Sequence, residues 1–270
     1  MIASVPRPKK RVVALSDPHC GHEFGLCPPA WWAQVDTSGA RRAKAGIFQR
    51  QLWEFYTTAI DALKPIDILV VNGDAIEGKG ERSGGVELIT ADRLEQVKMA
   101  KEAIDYAAAP VVRIIFGTRY HTGKDEDFEQ SLADTVTGKA SLHGHDFLDI
   151  NGCKLDIKHK IGSSTVPHGR MTAIARARLW NAVWHSEHER QPKADILIRS
   201  HVHYFGYCGG ASWLGMTTPA LTYNSAYGIR DCEGLVDVGF IVFDFEADGS
   251  YGWRPILAGF DKLKVQAEAL

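Results

Sequence analysis

The chain of 270 residues is 45% apolar and 24% charged, an ordinary globular composition that excludes disordered, collagen-like and coiled-coil proteins. Lysine and arginine number 31 against 33 aspartate and glutamate, a formal charge of -2. Whole-molecule attraction is therefore not how it would find a polyanion, and any phosphate recognition must be local.

No apolar run reaches the roughly 20 residues of a membrane span, and the start MIASVPRPKKRVVALSD holds a strand-length apolar stretch, not a signal-peptide core. The expectation is a soluble, cytoplasmic protein without a membrane partner. The five cysteines, Cys20, Cys27, Cys153, Cys208 and Cys232, are never spaced C-x-x-C, so free thiols are expected in place of a disulfide framework or a thiolate zinc site. No linker, repeat or low-complexity tract divides the chain, and one domain over residues 1–270 is expected.

In chain order, Arg11 to Ser16, Ile66 to Asn72 and Val111 to Phe116 are short Val/Ile/Leu-rich runs of the kind buried on both faces. Between them, residues from about Ala40 place Ile47, Leu52, Phe55, Ala59, Ile60 and Leu63 at near-helical spacing, stopped by Lys64-Pro65, and Leu88 to Ala108 repeats the pattern up to Pro110. Strand, helix, strand, helix, strand implies a parallel sheet with right-handed crossovers. Further on, Lys154 to His159, Asp195 to Arg199, Tyr204 to Cys208, Ser212 to Thr217, Val238 to Phe245 and Tyr251 to Leu257 read as strands, interrupted by a helix from about Arg170 to Glu189. Short connections suggest a second, largely antiparallel sheet. Two packed sheets with flanking helices make an α/β fold, a four-layer α/β/β/α sandwich.

Chemistry gathers at the carboxyl ends of strands in such folds. Asp17-Pro18-His19 follows the first strand, and side chains at i and i+2 of an extended segment share a face. Gly73-Asp74 ends the second, with a glycine that lets the backbone bend closely beneath the carboxylate. Gly117-Thr118-Arg119-Tyr120-His121 ends the third, His159 ends the strand from Lys154, and His201-Val202-His203 follows the one from Asp195. Two carboxylates and up to five imidazoles would converge, a donor set suited to Mn, Fe, Co, Ni or Zn and too nitrogen-rich for a Mg or Ca cage. They exceed one ion's needs. Two ions about 3.5–4 Å apart, bridged by a carboxylate, can share a hydroxide nucleophile and clamp a phosphoryl group.

The ordered series D-x-H, G-D, a G-x-x-x-H variant, a lone His after a strand and H-x-H resembles the calcineurin-like metallophosphoesterases, over residues 11 to about 206 plus the later strands. The resemblance implies that Asp17, His19 and His203 hold one metal, that Asp74 bridges, and that His159 and His201 hold the other. The ions would be two divalent transition metals, Mn first, with Fe, Zn, Co or Ni as alternatives. The family's third motif is usually G-N-H, whose Asn ligates the second metal; here Thr118 follows Gly117, and His121 comes three residues later. His121 would either take the vacant position on the second metal or act as the catalytic group that assists the leaving oxygen.

The implied activity is hydrolysis of phosphate esters by metal-hydroxide attack, with phosphodiesters favoured and nucleic acid or a nucleotide as the candidate partner. A phosphomonoesterase or protein phosphatase, or an inactive binding scaffold on the same fold, is the alternative. Arg119, His168 and Arg170 are candidates to hold substrate phosphate. His22 is expected to project into water, and the pair His143 and His145 to lie in a surface loop. His185 and His188 are expected as exposed helix positions. Trp31 and Trp32 are read either as a base-stacking platform or as core for a long loop. Nothing in the sequence reports oligomeric state.

Overall fold

The computed structural model describes residues 9–33, 39–122, 127–188, 190–224 and 236–259, so Cys232 lies outside the described residues. A six-stranded sheet runs in the order β11-β10-β1-β2-β3-β4, built from β1 (Lys10–Leu15), β2 (Ile68–Asn72), β3 (Val111–Ile115), β4 (Lys139–His143), β10 (Gly239–Phe245) and β11 (Tyr251–Leu257). Strands β1 to β4 are parallel, and β10 and β11 add antiparallel to the free side of β1. A five-stranded sheet runs β5-β6-β7-β9-β8, from β5 (Asp146–Ile150), β6 (Cys153–Ile157), β7 (Ile196–Arg199), β8 (Gly206–Gly210) and β9 (Trp213–Thr217). Both sheets are mixed. The second is less antiparallel than the sequence suggested, because β6, β7 and β9 are parallel neighbours and β10 and β11 return to the first sheet.

Alternation along the strands sets the layers. Val13, Leu15, Leu69, Val71, Val112 and Ile114 face α1 (Gly39–Leu63) and α2 (Arg93–Tyr106), while Val12, Ala14, Val70, Ile115, Leu155, Ile157, Ile196 and Ile198 fill the space between the sheets. The buried stripe of α1 is Phe48, Leu52, Tyr56, Ile60 and Leu63; Ile47, included in the sequence pattern, is exposed. Helix α2 begins at Arg93 and not Leu88, because the Asp92 carboxylate accepts hydrogen bonds from the Leu94 and Glu95 N–H groups and caps it there.

Two shorter helices, α3 (Arg119–Thr122) and α4 (Phe128–Thr135), follow β3, and α5 (Thr172–His188) contacts β7, β8 and β9 of the second sheet. Arg113 on β3 donates to both oxygens of Asp146 on β5, at 2.8 and 2.7 Å, pinning one sheet to the other. The four described cysteines are free thiols, and no helix among the described residues is long and apolar enough to cross a membrane.

Candidate metal centre

The loops leaving β1 and β2 run together: the N–H groups of Asp17, His19 and Cys20 donate to the carbonyls of Gly73, Asp74 and Ala75. In the second sheet, Ser200 N–H donates to the His159 carbonyl. Hydroxyls link the two sets, Ser16 Oγ to Thr218 Oγ1 at 2.6 Å, Thr218 Oγ1 to Ser200 Oγ at 2.7 Å, and Asn72 Nδ2 donating to Ser200 Oγ at 2.6 Å. The seams between strands thus carry the side chains that the sequence singled out to one place.

Asp17 and Asp74 are buried, and imidazoles surround them. His203 Nε2 lies 3.1 Å from Asp17 Oδ1 and 3.3 Å from His19 Nε2, while His159 Nε2 lies 3.0 Å from Asp74 Oδ2. Three compact groups form, Asp17 with His19 and His203, His19 with Asp74 and His121, and Asp74 with His159 and His201, each with donor atoms within 4.8 Å of one another. Asp74 lies in two of them. Its neighbour Gly73 has φ +86°, and a Cβ there would collide with the His159 ring, 2.3 Å from Nδ1.

The Nδ1 atoms of three of these rings are committed elsewhere. His159 Nδ1 donates to the Asn72 carbonyl at 2.6 Å, His121 Nδ1 to the Glu77 carbonyl at 2.7 Å, and His19 Nδ1 to the Glu77 carboxylate at 2.9 Å. The Nε2 atoms are left facing the buried carboxylates, the orientation that ligating histidines take when a second partner fixes their tautomer.

Charge and backbone agree with that arrangement. Burial opposes ionisation of Asp17, yet His203 and His159 hold its carboxyl well below the usual range; His159 and His121 do the same for Asp74. Burial would lower His159, but Asp74 and Asp17 push it up to about 10, whereas burial prevails at His201 and takes it down to about 4. Among the described residues neither carboxylate is paired with a lysine or arginine. Seven described non-glycine residues have positive φ, and five of them are Asp17, His19, Asp74, His201 and His203. Each such conformation costs on the order of 1–3 kcal/mol and clusters where function demands it. Buried oxygen and imidazole donors, short of permanent positive charge and held in strained backbone, are groups that could hold metal ions.

The convergence is reached differently from the sequence expectation. The D-x-H and H-x-H side chains meet through left-handed residues, with φ 49° and 43° at Asp17 and His19 and 75° and 57° at His201 and His203, and not through an extended segment. Thr118, in the place of the family's Asn, donates to Asp74 Oδ1 from its N–H at 2.6 Å and from its hydroxyl at 3.1 Å. His121 lies on α3, its ring 4.5 Å from the His19 ring and its Nε2 4.0 Å from Asp74 Oδ2. It is grouped with His19, not with His159 and His201.

Arg119 and His168 are exposed, and neither forms a hydrogen bond or ion pair with the convergent side chains. Arg170 stacks over the Tyr204 ring, 4.6 Å from its centroid, one residue after His203, and both Arg170 Nε and Tyr204 Oη are buried without a partner.

Several readings are corrected. His22 is buried, accepts from Phe24 N–H and faces Glu87 at 3.6 Å, because residues 20–25 fold back on the loops after β2 instead of projecting outward. His143 ends β4, and His145 lies 2.7 Å from the buried Asp156 carboxylate. They flank a tight link between two strands, one in each sheet, whose polar sequences hid them. His185 is half-buried, its Nδ1 donating to the Gln191 carbonyl at 3.1 Å. Trp31 and Trp32 pack on the first core, Trp32 Nε1 donating to the Cys27 carbonyl at 2.9 Å, the long-loop reading.

Sequence reasoning missed Glu77 and Glu129. Burial works against the Glu77 charge, but its hydrogen bond to His19, with His121 and His22 nearby, holds it at about 2. Glu129, on α4, accepts from Gly117 N–H at 2.9 Å and Ala75 N–H at 3.5 Å, and burial pushes it up to about 8, assisted by Asp74 and opposed by the Gly117 bond. Neither sits in a motif. Only their acidity near the strand ends was visible.

No family model matches the chain, and no curated relative does. Its structure is similar to that of an archaeal phosphodiesterase, at 11% identity and a TM-score of 0.47, over 91% of this chain and 99% of the other. It is also similar to Vps29 from Entamoeba histolytica complexed with zinc, at 14% identity and 0.41 over 92% and 98%. A predicted phosphoesterase from Streptococcus pneumoniae gives 10% and 0.37 over 92% and 98%.

Proposed function

We propose that this chain is a calcineurin-like, metal-dependent phosphoesterase that hydrolyses phosphodiesters, with nucleic acid or a nucleotide as substrate. Asp17, His19 and His203 would hold one ion and His159 and His201 the other, with Asp74 between them. Bound there, the ions supply Lewis acidity, polarising phosphoryl oxygens and making water acidic enough to attack near neutral pH.

The chain's own groups set up the rest. Glu77 fixes the His19 ring by its carboxylate and the His121 ring by its carbonyl. Thr118 fixes the rotamer of Asp74 with two donors on one oxygen. Glu129 holds the turn at Ala75 against the turn at Gly117, so the two loops stay in register. His121, with Nδ1 donating to a carbonyl, can carry a proton on Nε2 to the departing oxygen. Arg170, with exposed Arg119 and His168, would meet the substrate's phosphate.

The observation that carries this reading is that the segments after five strands bring Asp17, Asp74 and the imidazoles of His19, His121, His159, His201 and His203 into three overlapping groups of largely buried donors. The test is hydrolysis of bis-p-nitrophenyl phosphate against p-nitrophenyl phosphate after stripping and restoring Mn. Diester turnover that returns with Mn is expected. Equal inertness with every first-row ion would leave a binding scaffold, and a preference for the monoester would move the substrate class.

A further inference from the structure

Strand β6 has a second face. Its odd residues Leu155 and Ile157 turn between the sheets, so Asp156 turns outward under α5, and Lys158 and Lys160, just past the strand's end, lie on the same side. There they line a cleft of about 330 Å³ whose other wall is the α5 face carrying Arg176, Trp180 and Trp184. The acidic member is already spent: Asp156 is buried, 2.8 Å from Arg199 Nη1 and 2.7 Å from His145 Nε2. Lys158, Lys160 and Arg176 are exposed. None of the three has a carboxylate partner among the described residues. In a chain with a net charge of -2, this is a local concentration of unpaired positive charge.

Trp180 decides what kind of anion fits. It is 55% exposed on the rim, while Trp184, one helical turn further on, has the Arg190 guanidinium 5.8 Å from its ring centroid. Small residues on the same face, Ala173 and Ala177, keep the cleft open beside them. Free phosphate would need only the cations, and a lipid surface would call for apolar anchors without a lined trough. An exposed aromatic face beside a row of cations matches a single-stranded nucleic acid, a base stacked and its backbone neutralised.

From this geometry we infer that the cleft between α5 and β6 binds single-stranded nucleic acid, Trp180 stacking a base and Lys158, Lys160 and Arg176 holding phosphates. Lys158 and Lys160 flank His159 in the chain but face the other way; that such a bound strand is also substrate rests on the phosphodiesterase reading, the binding itself does not.

The test is fluorescence anisotropy of fluorescein-labelled oligothymidylate with the full chain, in Mn and in EDTA. Binding in both buffers is expected, weakening with salt. Trp180→Ala should cost roughly five- to hundred-fold in affinity, and Arg176→Glu at least tenfold, with unchanged melting temperatures because both side chains are exposed. Lys158→Arg should retain binding where Lys158→Glu loses it. Absence of binding, or affinities indifferent to Trp180→Ala and Arg176→Glu, would overturn the inference. So would equal competition by duplex DNA or dextran sulfate, which present no free bases, or a dimer that Trp180→Ala dissociates, which would give this face to a second copy. Hydrolysis of bis-p-nitrophenyl phosphate without oligonucleotide binding removes this inference alone; binding without any hydrolysis removes the phosphoesterase alone.

Discussion

The two faces of β6 place charge in opposite ways. Toward the first sheet, His159 meets Asp74 and Asp17 in a buried cluster whose backbone sits in left-handed conformations. Toward α5, Asp156 is neutralised by Arg199 and His145 in relaxed strand geometry, and the remaining cations point to water. The first cluster is balanced only by imidazoles, which can exchange a proton for an ion; the second is balanced by a guanidinium, which cannot. Buried charge therefore does not by itself mark a site. Buried charge without permanent counter-charge, held at a conformational cost, does.

That contrast can be broken from either side. Asp74→Asn should bring diester hydrolysis to the uncatalysed background while the melting temperature holds, measured by p-nitrophenol release and calorimetry; retained turnover would remove Asp74 from the chemistry. Asp156→Asn should act the other way, costing about 3–5 kcal/mol of stability because Arg199 is left buried and unpaired.

Burial opposes the Asp156 charge, but His145 and Arg199 hold its carboxyl below the usual value near 3.8. Its contribution to stability is thus complete above that value and lost as pH falls through the lower folded one. Urea unfolding from pH 7 downward should show the gap between wild type and Asp156→Asn closing in strong acid. A gap that widens there would refute the ion pair.

Two smaller effects sharpen the comparison. At Gly117 a Cβ would collide with the backbone and carboxylate of Asp74, so Gly117→Ala should lose about 1–3 kcal/mol and bind Mn poorly by calorimetric titration. Glu77→Gln keeps the shape but weakens the grip on His19, and should cost about 10–100-fold in metal affinity or turnover. An unaltered affinity would assign Glu77 to packing alone.

Strands β1 to β3, helices α1, α2 and α5, and the motif residues were legible because each is written locally, as an apolar run, a periodic stripe or a donor at a strand end. Strands β4 and β5 were not: KASLH and DFLDI carry charges where Lys139 lies at a sheet edge and Asp146 pairs with Arg113 across the sheets. The roles of Thr118, Glu77 and Glu129 come from chain segments that meet only after folding, and no spacing encodes them. His22 looked like solvent-facing loop because its partner Glu87 is distant in sequence.

The positive φ values at Asp17, His19, Asp74, His201 and His203 restrict these positions twice over. A replacement must offer a donor and also tolerate a left-handed backbone, and the small set of residues that does the latter readily is Gly, Asn, Asp and His. Swaps that look mild on a chemical scale, Asp17→Glu or His203→Cys, keep an electron pair and forfeit the turn that aims it. Mutational libraries at these sites should therefore be nearly silent outside that short alphabet.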